Sequence, residues 1–513
     1  MKPLPAGELT IRTRLAYGGL VSLLYLVVAA IQVWVSRSYI FKASRTAIRD
    51  HGNYCTVLEE WKHGADLYEG VFWSFGPIPM LAYRVVDFFL NSPLLTVVVA
   101  NLLWVALGCF IVVALCKTRA SMVLAALVLA NLFPPVETAT AVTWYPPEFV
   151  FIALCGWAYR IRSHRNFFAA LGLAALLMQF NKPTSPVLLA PFLVERILRH
   201  RIQVRDWPKL LVPPLAILAA GSLLMLPLYG SLDAFIRLNF PLHMLQQYES
   251  MQGDPTAIFQ SLDAGWFFNH LSIPFFGLLC AGLLARSKQG EDPNMRTAWL
   301  LCLSGILAVL LYCRHRDHYL MNTHHFFIAA ALIGIPAINT VRIPWALLVL
   351  PALLVGVKIN AGALYQLHPL AQPLPEKPVW MRSHIFGTNP DLVELQNALG
   401  DHDVEQAAFL TRQPGLSFVT GTRNALHITW ILAGWVHDDN KDRFWNEVTG
   451  SRWLVLERTP PHRTPVQILQ GWATLPGALE AAQQIHGHSL RWENESFLLL
   501  EKPSVHLPSL NNP

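Results

Sequence analysis

The stretch RDHGNYCTVLEEWKHGADLYEGVFWSFGP, residues 49–77, follows an apolar run that is long enough to cross a lipid bilayer. It mixes acidic residues, aromatic residues and glycines. A plain connector between two membrane helices is shorter and lacks this chemistry. We therefore predict an elaborate loop that follows the first membrane helix and carries much of the functional information in the chain.

The composition of the whole chain is that of a polytopic membrane protein. Of its 513 residues, 53% are hydrophobic and 14% are charged, against roughly 25% charged in soluble domains. Apolar runs of bilayer-spanning length recur along the first 358 residues. We predict an all-α polytopic membrane protein with about 11 transmembrane helices, at about 15–35, 93–116, 120–136, 145–160, 166–182, 183–199, 209–230, 266–285, 297–313, 319–339 and 342–358.

The distribution of Lys and Arg fixes the predicted orientation. The connectors on the side of the N-terminus hold 17 of them, whereas the opposite side, leaving out the first outer loop, holds only Lys182, Arg237, Arg314 and Arg316. The positive-inside rule then places the N-terminus in the cytoplasm. Because the net charge of +6 comes largely from these short connectors, binding of nucleic acid is not expected. We predict a multi-pass protein of the bacterial cytoplasmic (inner) membrane.

Three parts follow one another along the chain. Residues 1–358 form the predicted transmembrane module, which includes a first outer loop at 36–92. Residues 359–378 form a Pro-rich linker, and residues 379–513 are more polar. With eleven crossings this last part lies outside, and we predict a small C-terminal α/β periplasmic domain.

Periodicity predicts local structure in the loop and the C-terminal domain. Residues 78–90 are apolar but too short to span, and they predict a juxtamembrane helix at the interface. In the C-terminal domain, residues 451–458 and 496–502 have the pattern of strands. Residues 391–399 and 477–485 have the pattern of amphipathic helices.

The first outer loop carries a spaced pattern of Asp, Gly and aromatic residues. Its members are Asp50, Gly52, Tyr54, Gly64, Leu67, Tyr68, Phe72, Gly76 and Pro77. The pattern resembles the first outer loop of the GT-C superfamily, which are integral membrane glycosyltransferases that use polyprenyl-phosphate-linked sugars. Members include dolichyl-phosphate-mannose-protein mannosyltransferases and aminoarabinose transferases. The resemblance implies juxtamembrane helices in this loop, with Asp50 as the general base; many relatives have a second acid next, where this chain has His51.

Two later segments, NKPTSP (181–186) and RHRDHYLM (314–321), are also similar to elements of that family. The donor-phosphate ligands that the resemblance implies are Lys182, Arg314 and Arg316, with His318 and Tyr319 nearby. Cations at a partly dehydrated site stabilise a departing phosphate. Plainer roles remain open: Lys182 can extend to the interface, the later cations can bind lipid headgroups, and Tyr319 can belong to an aromatic belt.

A general base is the other chemical requirement, since an acceptor hydroxyl or amine must lose a proton as it attacks the sugar. Asp50 has the plainer alternative of pairing with Arg45 or Arg49. The candidate accessory residues are His51, Tyr54, Glu59, Glu60, Asp66 and Tyr68. The apolar positions in this part of the loop fit an amphipathic helix, so we expect its acids to form the solvent-exposed face.

Metal binding is not expected. His315, His318, His324 and His325 lie close in sequence, but their spacing gives no H-x-x-x-H pair with a nearby acid. We predict no cofactor and no divalent metal; the expected donor substrate is a lipid-linked sugar.

The sequence thus predicts a membrane glycosyltransferase that transfers a sugar from a polyprenyl-phosphate donor to a lipid, glycan or protein acceptor on the periplasmic face. Inversion is expected for a single displacement. A glycan polymerase or ligase is a rival, but the outer loop at 231–265 contains only Arg237, not paired arginines. A transporter, flippase or non-catalytic carrier-lipid-binding protein remains an alternative. Transport would require ionisable residues deep inside several helices.

Overall fold

The structure is a computed structural model. It describes residues 9–35, 50–73, 75–116, 122, 145–239, 293–312, 390–429, 431, 436, 440–458, 467–468, 475–485 and 487–503. Ten described helices belong to the predicted membrane module: α1 (Ile11–Val35), α2 (Asp50–Lys62), α3 (Pro77–Leu90), α4 (Pro93–Leu115), α5 (Tyr145–Ala158), α6 (His164–Gln179), α7 (Ala190–Arg199), α8 (Trp207–Met225), α9 (Leu232–Asn239) and α10 (Pro293–Tyr312). Short 3₁₀ segments lie at Ser185–Leu189, Val204–Asp206 and Leu226–Tyr229.

Within the described residues, three helical stretches are long and apolar enough to cross a membrane: Ile11–Trp34, Pro93–Leu115 and Val204–Tyr229. Part of α10, Arg296–Leu310, is a shorter apolar helix. Seven of the eleven predicted spans coincide with described helices. The spans predicted at 120–136, 266–285, 319–339 and 342–358 lie outside the described residues apart from Met122.

The membrane helices pack through small residues. A Cβ added at Gly108 of α4 would lie 2.2 Å from the ring of Phe149 in α5, and one at Gly172 of α6 would lie 2.5 Å from Pro214 in α8. In addition, Ser22 Oγ of α1 donates a hydrogen bond of 2.7 Å to the carbonyl of residue 106 in α4. Close approach through small residues is typical of helix packing in membranes.

The first outer loop contains the two helices that the sequence implies. Pro77 occupies the first turn of α3, and Asn91 ends the helix in the left-handed conformation with φ +45°. The helix is amphipathic, because Met80 and Tyr83 are buried whereas Phe88 is 84% exposed. The predicted helix at 78–90 is therefore confirmed, and its location at the membrane interface stays a prediction.

The C-terminal domain is a mixed sheet with helices on both faces. In chain order its elements are α11 (Pro390–Asp401), β1 (Gln406–Leu410), α12 (Leu416–Thr420), β2 (Arg423–Asn424), α13 (Lys441–Gly450), β3 (Trp453–Glu457), α14 (Ala478–Ile485), β4 (Ser489–Glu493) and β5 (Phe497–Glu501). The strand order is β2-β1-β3-β5-β4. Strand β1 pairs in parallel with β2 and β3, whereas β5 pairs antiparallel with β3 and β4.

Alternate residues of the central strands enter two different cores. Trp453 and Val455 of β3 join the large cluster that also contains the first loop, whereas Leu454 and Leu456 join a second cluster on the other face. This alternation follows from the period of two along a strand. The C-terminal domain thus continues the core of the membrane module through one face of its sheet.

Candidate functional site

Helix α2, which begins at Asp50, is enclosed by its surroundings. Residues 51–58 and Glu60 are buried, whereas Glu59 is partly exposed. Tyr54 is 1% exposed and packs edge-on against Trp73, with ring centroids 5.6 Å apart. The side chain of Asp50 lies outside the described part of the structure, so its role as base stays a prediction; the structure shows only that the helix begins at this residue.

One face of α2 carries polar side chains that bond to the C-terminal domain. Asn53, Thr56 and Glu60 are separated by three and four residues, which places them on one face of the helix. Thr429 Oγ1 donates a hydrogen bond of 2.7 Å to Asn53 Oδ1. Thr56 Oγ1 donates one of 3.2 Å to the carbonyl of Pro414. These groups are buried, so the polar face is an interface between two parts of the chain.

Glu60 corrects the expectation that the acids of this helix face solvent. It is 7% exposed, and its Oε1 accepts a hydrogen bond of 2.8 Å from the backbone N–H of Asn424. Its Oε2 lies 3.6 Å from Arg423 Nε. Burial raises the pKa of Glu60, while the Asn424 N–H, Arg423 and His63 act in the opposite direction. The helical periodicity was right, but the C-terminal domain covers the face that Glu60 occupies.

The loop after α2 makes a second set of bonds to the same domain. The backbone N–H of Phe72 donates to the carbonyl of His427 at 2.7 Å, and Arg443 Nη2 donates to the carbonyl of Glu69 at 2.6 Å. Together with the α2 contacts, these bonds form an interface between the first outer loop and the C-terminal domain. We call this interface the loop–tail seam, where the tail is the C-terminal domain. On the loop side the seam comprises Asn53, Thr56, Glu60, Glu69 and Phe72, and on the tail side Pro414, Arg423, Asn424, His427, Thr429 and Arg443.

Glu447 of α13 orders the tail side of the seam. Its Oε2 accepts hydrogen bonds from the backbone N–H of His427 at 2.9 Å and from His427 Nδ1 at 2.7 Å. Its Oε1 accepts from Arg443 Nε at 2.9 Å. Burial acts to raise the pKa of Glu447, but the bonds from His427 and Arg443 outweigh it and leave the pKa below the ordinary value of 4.5.

The lowered pKa of Glu447 predicts that the folded protein becomes less stable at acidic pH. Because the folded pKa of Glu447 lies below the unfolded value, its stabilising contribution is present above about pH 4.5 and is lost as the pH falls through the lowered folded pKa. We expect thermal unfolding of the full-length protein to show this loss, and Glu447→Gln to reduce it. Identical slopes of melting temperature against pH for the two proteins would contradict the assignment.

Tyr68 has a structural place in the loop. Its φ of +78° is in the left-handed region, which is rare for residues with a side chain. Its ring stacks on Tyr229 with centroids 4.2 Å apart and planes at 7°, and its hydroxyl donates to the carbonyl of Phe75 at 2.7 Å. Among the accessory candidates, Tyr68 thus has a structural role: it packs the loop against the 3₁₀ segment Leu226–Tyr229.

The loop ends by docking against the segment that contains Lys182. The backbone N–H of Gly76 donates to the carbonyl of Asn181 at 3.1 Å, and that of Ile78 donates to the carbonyl of Phe180 at 3.0 Å. A Cβ at Gly76 would lie 2.0 Å from the Phe180 oxygen, so only glycine fits here. The structure therefore brings two segments together that the sequence analysis singled out separately.

Beside this contact lie an acid and a base, Glu148 and Lys182, whose pairing the sequence alone did not indicate. Glu148 of α5 is fully buried, and its Oε1 accepts a hydrogen bond of 2.6 Å from Ser185 Oγ. Its carboxylate and the half-buried Lys182 attract each other electrostatically. An acid inside an apolar run, next to the predicted helix start at Tyr145, was the available signal.

The remaining predicted site residues divide into two groups. His51 is buried in α2, and Asp66 is exposed in the loop. Arg314, Arg316, His318 and Tyr319 lie outside the described residues, so the structure shows Lys182 alone of the predicted phosphate ligands. Within the described residues, no three His, Cys, Asp or Glu side chains are placed to hold a metal ion; the expectation of no metal stays a prediction.

Known proteins resemble this chain in fold. No family model and no curated protein matches the sequence. The crystal structure of ArnT from Cupriavidus metallidurans bound to undecaprenyl phosphate matches with a TM-score of 0.55 and 12% identity, over 94% of this chain and 98% of that chain. Apo ArnT from the same organism matches with a TM-score of 0.56 and 11% identity, over 93% and 97%. At these identities the likeness shows the fold alone: over most of its length this chain has the fold of the two ArnT structures.

Proposed function

We propose that the protein is a membrane glycosyltransferase that transfers a sugar from a polyprenyl-phosphate donor to a lipid, glycan or protein acceptor on the periplasmic face. The observation that carries the proposal is the docking of the first outer loop, through Gly76, on the segment that presents Lys182. It supports a site in which a base on α2 and a phosphate-binding cation serve one reaction. The likeness to ArnT, solved with undecaprenyl phosphate, supports the choice of donor.

The proposed reaction is a single displacement. The acceptor oxygen or nitrogen attacks the anomeric carbon and forms the new glycosidic bond, while the bond from that carbon to the phosphate oxygen breaks. The proton of the acceptor passes to the Asp50 carboxylate, and the bond electrons leave with the polyprenyl phosphate. Attack opposite to the leaving group inverts the anomeric configuration. A base in hydrogen-bond reach contributes about 10²–10⁴ in rate.

Lys182 is the proposed ligand of the departing phosphate, together with Arg314 and Arg316, and with His318 and Tyr319 nearby. The ammonium group favours negative charge as it develops on the phosphate. Glu148 holds Lys182 by electrostatic attraction and is itself held by Ser185. This arrangement keeps the cation in place before the donor arrives, which lowers the cost of ordering the site on binding.

A transporter or flippase is the alternative class. It would require ionisable residues deep within several membrane helices. Glu148 is the fourth residue of α5, and Lys182 follows the end of α6. The charges at this site therefore lie at helix ends, as a reaction at a membrane surface requires, and they favour the transferase.

Binding of the carrier lipid tests the role of Lys182. We expect Lys182→Met to weaken binding of polyprenyl phosphate to the protein in nanodiscs by about 10-fold or more, since a hydrogen bond to a charged group contributes about 1.5–3 kcal/mol. Native mass spectrometry with a lipid titration gives the affinity. Lys209→Met removes an exposed cation of a predicted cytoplasmic connector and should leave the affinity unchanged.

Loss of Lys182 also leaves the buried Glu148 carboxylate without its cation, which is destabilising. The double variant Lys182→Met/Glu148→Gln is neutral at both positions and separates folding from binding. We expect it to melt close to the unaltered protein and still to bind the lipid weakly. Binding as tight as that of Glu148→Gln alone would show that Lys182 does not contact the phosphate.

A further inference from the structure

The loop–tail seam gives the C-terminal domain a part in the reaction. We propose that Glu60, acting with Asn53 and Thr56, is a positioning residue through which the C-terminal domain sets the orientation of the helix that begins at Asp50. The catalytic consequence rests on the proposed function, because it takes Asp50 as the base. The contact itself is independent of that function.

The geometry of α2 allows its contacts with the C-terminal domain to fix the position of Asp50 at the start of the helix. Asn53 lies three residues after Asp50, which is about 4.5 Å along a helix that rises about 1.5 Å per residue. From Asn53 to Glu60 the bonded face extends over about 10 Å. A helix held at both ends of that length cannot tilt or rotate without breaking a bond. The backbone of Asp50 is therefore fixed by contacts one to three turns away.

The bonds come from three separate points of the C-terminal domain. The carbonyl of Pro414 precedes α12, the N–H of Asn424 belongs to β2, and the hydroxyl of Thr429 follows β2. Three points of attachment define both the rotation and the axial position of a helix, which one contact cannot do. One of these points, Asn424, belongs to the sheet, and one face of that sheet shares a core with the first loop.

The chemistry of the seam favours a single arrangement. Apolar packing tolerates small sliding movements, whereas a buried hydrogen bond that is lost leaves a donor or acceptor unsatisfied at a cost of about 1–3 kcal/mol. Glu60 accepts one of these bonds, from the backbone N–H of Asn424, although its burial raises its pKa. Movement of α2 away from this position would leave that N–H unsatisfied inside the interface.

The test compares substitutions on the two sides of the seam in the full-length protein in nanodiscs. Glu60→Ala removes the acceptor on α2, and Thr429→Val removes a donor in the C-terminal domain while preserving shape. Glu60→Gln keeps an oxygen that can accept from the Asn424 N–H and serves as the conservative rescue. Glu480→Ala is the matched control, because Glu480 is an exposed acid on α14 of the same domain.

Two readouts are taken on each variant. Hydrogen–deuterium exchange of the α2 amides can be measured without a sugar donor. Turnover of a polyprenyl-phosphate sugar gives kcat and KM. We expect Glu60→Ala and Thr429→Val to increase exchange in α2 and to lower kcat by about 10-fold with KM for the donor unchanged, since a misplacement of about 1 Å costs up to about 10²-fold in rate. Glu60→Gln should keep both the exchange in α2 and kcat close to those of the unaltered protein. Glu480→Ala should alter neither quantity.

The outcomes separate the two proposals. Exchange in α2 that is unchanged in Glu60→Ala and Thr429→Val overturns the positioning role, whatever the activity. Increased exchange with an unaltered kcat also overturns it, because the seam would then be structural only. Absence of turnover in the unaltered protein with every donor overturns the proposed function instead, and with it the catalytic part of this inference.

Discussion

Replacing Asp50 with asparagine is expected to lower the rate of sugar transfer by at least about 10²-fold, which is the lower end of what a general base contributes. Asparagine has nearly the shape of aspartate but cannot accept the proton of the acceptor at neutral pH. The proposed phosphate ligands are untouched by the substitution. We therefore expect the fall to appear in kcat, with binding of the polyprenyl phosphate preserved.

The measurement is release of free polyprenyl phosphate per enzyme, followed by mass spectrometry for the Asp50→Asn variant and the unaltered protein. Asp442→Asn is the control, because Asp442 is an exposed acid in α13 of the C-terminal domain, and it should react at the unaltered rate. Equal rates for Asp50→Asn and the unaltered protein would remove Asp50 as the base. Glu59 and Asp66 would then be the next candidates, since Glu60 is engaged in the seam.

Replacing Gly76 with alanine is expected to destabilise the protein by about 3 kcal/mol, near the upper end of what overpacking costs. The added Cβ would lie 2.0 Å from the oxygen and 2.1 Å from the carbonyl carbon of Phe180. These are backbone atoms, so no side-chain rotation relieves the contact. The two hydrogen bonds from Gly76 and Ile78 to Asn181 and Phe180 would be strained or lost as the segments move apart.

Thermal unfolding in nanodiscs measures this effect, and Gly19→Ala provides the comparison. Gly19 lies in α1, and a Cβ there would meet nothing within 4 Å; alanine at that site should be neutral or slightly stabilising because it is the better helix former. Since Gly76 holds the loop against the Lys182 segment, its alanine variant should also bind polyprenyl phosphate more weakly. A melting temperature equal to that of Gly19→Ala would contradict the packing described here.

Local pattern predicted much of the fold. The helices at 391–399 and 477–485 and the strands at 451–458 and 496–502 are all present, because each has the period of its structure in its own residues. The strand QAAFL at Gln406–Leu410 was missed. It is short and contains no β-branched residue, and its place in the sheet comes from pairing with β2 and β3 on either side.

The site was predictable only where its signal is local. The loop pattern around Asp50 and Gly76 depends on residues close in sequence, whereas the partner of Glu60 lies 364 residues away. Helical periodicity shows that Glu60 shares a face with Asn53 and Thr56, but it cannot show what covers that face. Glu148 was overlooked for a similar reason, since its significance depends on Lys182, which lies after the end of another helix, α6.

The central claim is that this chain transfers a sugar from a polyprenyl-phosphate donor. The direct measurement incubates the unaltered protein in nanodiscs with a panel of polyprenyl-phosphate sugars and a bacterial membrane extract, and follows free polyprenyl phosphate and new glycosylated products by mass spectrometry. We predict release of the carrier from at least one donor, with a product whose mass increases by that sugar and whose anomeric configuration is inverted. Bound carrier lipid without release from any donor, with an acceptor of a related transferase present, would contradict the account and favour a carrier-binding or transport protein.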